Sequence, residues 1–81
     1  MNTATKLFEA MQASPLDWRI EQLLTVACQF SIEVRSVGGS HRVFSHPAVK
    51  DALSVPAHRP IKPVYVRQFV EMVNKVKESQ A

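Results

Sequence analysis

The sequence predicts an α+β domain in the order helix, helix, strand, strand, strand, helix (ααβββα). Its antiparallel three-stranded sheet carries the helices on one face and leaves the other open. Three observations carry this. Ile20, Leu23, Leu24 and Ala27 recur at i, i+3, i+4 and i+7. Two strand-like runs flank Gly38-Gly39, the only glycines in the chain. Pro63 opens a stretch in which Val66, Phe69, Val70, Val73 and Val76 fall on one helical stripe.

At 81 residues the chain holds one domain, 1–81. The hydrophobic fraction of 46% is that of a folded protein, and no polar tract suggests disorder. No apolar run approaches the ~20 residues that span a membrane, and the first ten residues lack the basic-then-apolar design of a signal peptide. The one cysteine, Cys28, excludes an internal disulfide and a cysteine-based zinc site. These features fit a small protein of a reducing cytoplasm.

In chain order, Thr3–Ala13 forms a first helix through Leu7, Phe8 and Met11. Ser14 is placed to cap the second helix, with Pro15 at its first position and Asp17 three after the cap. That helix runs to about Gln29, with Cys28 read as a buried small residue and Trp18 as core. Residues 32–37 alternate as a strand, Gly38-Gly39 make the hairpin turn, and 40–45 return. On the return strand His41, Val43 and Ser45 share one face, and Arg42, Phe44 and His46 the other. Phe44, the larger apolar group, is assigned inward, which turns His41 outward. A third strand at 52–55 points Leu53 and Val55 inward and is stopped by Pro56. The last helix starts at Pro63.

Charge is unevenly spread. The whole chain carries +3, but residues 34–70 hold six basic residues against one acid, a local +5. Such a patch attracts phosphates, although surface lysines and arginines are often only solvated. Two glycines cannot build a phosphate-binding loop, and nothing calls for a cofactor. A metal site from His41, His46 and His58 would need His58 folded back, with no carboxylate placed to help, so none is assigned.

One combination of motifs is more specific than its parts. Gly39-Ser40-His41 leads into Arg42-Val43-Phe44-Ser45-His46-Pro47. Leu53-Ser54-Val55-Pro56-Ala57-His58 follows, and Ile61-Lys62-Pro63 then opens a helix with Val66-Arg67-Gln68. Over residues 17–73 the chain resembles the HicA toxins of bacterial HicAB toxin–antitoxin systems. The resemblance implies a double-stranded-RNA-binding-domain-like fold, cleavage of mRNA during growth arrest, and neutralisation by a HicB-like antitoxin. It also implies that His41 is the catalytic histidine. Residues 1–14 would be an additional N-terminal helix, and the 47–52 loop is tight for the family.

Metal-independent RNA cleavage uses the adjacent 2′-hydroxyl as nucleophile. It needs a group that takes and gives a proton near neutral pH, which an imidazole does. Ser40, Arg42, His58, Arg59 and Lys62 are the candidate RNA contacts, arginine as a fork and lysine as a point charge. His46 and His58 are the residues available for an acid role, and spacing singles out neither; His46, before Pro47, reads as a loop-bonding residue. By pattern alone His41 reads as a turn-closing residue, and only the resemblance turns it toward catalysis. The alternatives are a non-catalytic RNA-binding module and a protein-interaction domain of the same fold.

Overall fold

The computed structural model describes residues 3–57 and 60–80. Its elements are α1 (Thr3–Ala13), α2 (Ile20–Gln29), β1 (Glu33–Val37), β2 (His41–Ser45), β3 (Leu53–Pro56) and α3 (Pro63–Gln80), in the order the sequence predicts. The strands pair antiparallel as β1-β2-β3. Among the described residues no helix is long and apolar enough to cross a membrane.

The start of α2 differs from expectation. Ser14 closes α1 instead of capping α2, its N–H donating to the Ala10 carbonyl. Asp17 then takes a left-handed conformation (φ 63°), which a short polar side chain tolerates and which breaks any helix begun at Ser14. Trp18 pairs with Ile61 in an isolated β-bridge, the Ile61 N–H donating to the Trp18 carbonyl at 2.7 Å. The buried indole satisfies its Nε1–H on the Ser14 carbonyl, 2.7 Å away. Arg19 becomes the N-cap, its N–H bonded by the Gln22 side chain at 2.9 Å. The 15–19 segment thus ties the N-terminal ends of α2 and α3 together.

Helix α2 ends in a Schellman motif. Ser31 is left-handed (φ 58°), the Ile32 N–H donates to the Ala27 carbonyl and the Ser31 N–H to the Cys28 carbonyl. Ile32 is buried by this turn and precedes β1 instead of opening it. Cys28 is exposed, contrary to its reading as a buried residue. Val26, not Leu24, completes the buried stripe with Ile20, Leu23 and Ala27, and this rotates Cys28 outward.

The hairpin loop has three residues, not two, because Val37 pairs with His41. Ser40 therefore belongs to the loop. The extra residue matters, since a slip of one moves every side chain of a strand to the other face. In the observed register Val34 lies opposite Phe44, and Phe44 opposite Leu53. These residues, with Val55, face the helices. A two-residue turn would instead set Glu33 against Phe44.

Phe44 is fully buried and meets Phe69 of α3 edge-on, with ring centroids 5.2 Å apart. Helix α2 packs under β1 and α3 under β3, while α1 packs on both helices. Phe8 of α1 is buried, stacks edge-on with Phe30 at 5.8 Å and lies under the Lys77 ammonium at 5.2 Å. The first helix is therefore part of the core. Strand β3 runs through Pro56 instead of stopping before it, and the Ala57 N–H still donates to the Ser40 carbonyl at 2.8 Å. Backbone groups alternate sides along a strand. Pro56 consequently turns its nitrogen to the outer edge, where no ladder bond is lost.

Two substitutions test this fold by urea unfolding. Phe44→Ala is expected to cost about 3–5 kcal/mol, the range for an aromatic removed from a closed core. Ser31→Gly is expected to add about 0.5–1 kcal/mol, by relieving a left-handed penalty larger than the extra entropy of glycine. A loss of stability in the glycine variant would contradict the Schellman geometry.

Candidate functional site

Register and loop together place His41. It is the first residue of the central strand, on the face away from the helices, exposed, between Val37 of β1 and Pro56 of β3. Gly38 and Gly39 both have positive φ (62° and 75°), the conformation that lets the chain reverse here. A Cβ at either glycine would meet nothing within 4 Å, so the requirement is one of backbone conformation and not of space.

The Ser40 hydroxyl oxygen lies 3.2 Å from His41 Nδ1. This contact holds the ring by one nitrogen. With Nδ1–H donating to Ser40 Oγ, Nε2 is the unprotonated nitrogen and serves as a base; with the hydroxyl donating, Nε2 carries the hydrogen. The hydroxyl can donate or accept, so the contact orients the ring and leaves both tautomers open to it.

Arg42 does not share the face of His41. Alternation puts it on the helix side with Ser36 and Val55, half-buried, and its Nη1 donates to the His41 carbonyl at 3.2 Å. Its bond steadies the backbone at His41. Among the described strand residues, a cation that does share the face is Arg35, opposite Val43 and one row from His41. Diagonal neighbours on one sheet face sit roughly 7–8 Å apart, within reach of a long side chain. The sequence does not single out Arg35, because only the three-residue loop reveals which face it takes.

Lys62 is exposed just ahead of Pro63, and its carbonyl accepts from the Tyr65 and Val66 amides, so its position is set by α3 and not by the hairpin. His58 and Arg59 lie outside the described residues. His46 has the loop role expected of it. Its Nδ1 accepts from the Ala48 N–H at 3.0 Å and its carbonyl from the Val49 N–H at 2.9 Å. The structure thus joins Ser40, His41 and Arg42 directly and adds Arg35 across the strand.

No family model, no curated protein and no solved structure matches this chain.

The left-handed requirement at the turn is directly measurable. Gly38→Ala is expected to lower stability by about 1–2 kcal/mol, since a Cβ at φ 62° is strained even in open space. Ser36→Ala, at an exposed position inside the strand, should change stability by no more than about 0.5 kcal/mol.

Proposed function

We propose that this chain is a HicA-like ribonuclease toxin of the bacterial cytoplasm that cuts mRNA without a metal and is restrained by a HicB-like antitoxin. The observation that carries the reading is the presentation of His41. It is an exposed imidazole on the open face of the sheet, held through Nδ1 by Ser40, in the most basic part of the chain. The Gly-Ser-His turn and the downstream Val-Pro and Lys-Pro-helix motifs add the family resemblance. The order α2-β1-β2-β3-α3 agrees with the double-stranded-RNA-binding-domain-like fold that the resemblance implies, with α1 as an addition.

In the proposed reaction His41 Nε2 takes the proton of the ribose 2′-hydroxyl. That oxygen forms a new bond to the adjacent phosphorus as the bond to the 5′-oxygen breaks. The leaving 5′-oxygen takes a proton from solvent, His41 returns its proton to solvent, and a 2′,3′-cyclic phosphate remains. Arg35, on the same face, would neutralise charge on the phosphate oxygens, with Lys62 and Arg59 as further phosphate contacts. Arg42 would act through its bond to the His41 carbonyl.

His41→Ala is expected to reduce cleavage of a defined RNA by about 100- to 10,000-fold while leaving RNA binding within a few fold. EDTA should leave the wild-type rate unchanged. Equal cleavage with and without His41 would refute the assignment. Binding without cleavage in either form would favour the non-catalytic RNA-binding module instead. Arg35→Gln should lower the slope of log affinity against log salt by about one, as one lost phosphate contact requires, and Arg42→Gln should lower it less.

A further inference from the structure

The two edges of the sheet are built differently. The outer edge of β3 is blunted by Pro56, whose nitrogen points outward with no hydrogen to offer. The outer edge of β1 has no proline. Glu33, Arg35 and Val37 turn their backbone groups to β2, so Val34 and Ser36 present theirs outward, where no strand pairs with them among the described residues. Val37, at the end of this strand, is 50% exposed. An edge of this kind is a template for another strand.

We infer that β1 pairs antiparallel with β1 of a second copy of this chain, joining two sheets into one about a two-fold axis at Val34. Charge complementarity points to a second copy as the occupant and to one register, since only centring on Val34 sets opposite charges face to face. Only outward-facing residues can form the hydrogen-bonded pairs, so the permitted registers step by two. Centring on residue 33 sets Glu33 against Glu33. Centring on residue 35 sets Arg35 against Arg35. Centring on Val34 sets Glu33 of each copy against Arg35 of the other, twice by symmetry, with Val34 against Val34 on the helix side. In this register Val34 exchanges two bonds with its counterpart. Each Ser36 N–H also reaches an Ile32 carbonyl, while the Ile32 N–H stays with Ala27. A five-residue strand buries less than the ~1,000 Å² of a stable interface, so the dimer is weak and concentration-dependent. This inference stands on the sheet edge and does not depend on the ribonuclease reading.

Sedimentation equilibrium of the full chain, from micromolar to millimolar concentration, tests it. The wild type should move from monomer toward dimer. Glu33→Arg alone and Arg35→Glu alone each put like charges opposite one another and should weaken self-association by about tenfold. Mixing the two variants restores opposite charges across the axis and should restore association. Ser36→Pro removes an outward donor, as Pro56 does on β3, and should leave a monomer. Circular dichroism checks that each variant is folded, as exposed positions favour. A wild type that stays monomeric throughout, or single variants that dimerise as the wild type does, would overturn the inference and leave the edge unpaired or open to a different chain. Failure of the mixed variants to associate would overturn the register and with it the charge argument.

Discussion

The structure depends on the register between β1 and β2. A strand has two faces and no tolerance for a slip of one residue. With three residues in the loop, Val34, Phe44, Leu53 and Val55 meet on one side, and α2 and α3 close over them. The same register leaves Glu33, Arg35, Val37, His41 and Val43 on the other side. Core and candidate site are thus two consequences of one loop. Gly38 and Gly39 provide its left-handed turns, and Ser40 provides both its third residue and the partner of the imidazole.

Most of the architecture was legible because hydrophobic period is a strong signal. The stripe from Val66 to Val76 and the run from Ile20 to Ala27 both carry helical period, and Phe44, larger than its neighbour Val43, is the residue that packs on Phe69 of α3. The errors fell where local chemistry had two uses. Ser14-Pro15 reads as a helix start, yet a left-handed Asp17 and the bridge from Trp18 to Ile61 decide against it. That bridge joins residues far apart in sequence, so no local pattern could report it. Cys28 was misplaced because a helical stripe is broad, and a shift of one position exchanges Val26 for Leu24 on its edge.

The candidate site was legible in its centre and not in its surroundings. The outward turn of His41 followed from the inward turn of Phe44, three residues along the same strand and therefore on the opposite face. His46 was rightly separated from it as a loop residue. The cations were harder. Arg42 adjoins His41 in sequence, but alternation sends it to the helix side, where it donates to the His41 carbonyl. Arg35 lies six residues earlier and shares the face. Proximity in sequence and proximity on a sheet face are different quantities, and only the register converts one into the other.

The central strand also explains why the imidazole can be both exposed and fixed. A histidine on an edge strand would have one neighbour and a mobile backbone. His41 has Val37 on one side and Pro56 on the other, its amide and carbonyl turned toward β1, and the Arg42 guanidinium on its carbonyl. Its side chain meets solvent while its own backbone groups face β1 and the preceding Ser40 carbonyl accepts from the Ala57 N–H next to β3. Pro56 fits this position for a specific reason: opposite His41 the β3 nitrogen points away from the ladder, so the ring of proline can flank the imidazole without breaking a bond. The Val-Pro of the third strand and the Gly-Ser-His of the turn are far apart in sequence. In the folded sheet they form one row, and the spacing between them is what the loop from His46 to Ala52 has to preserve.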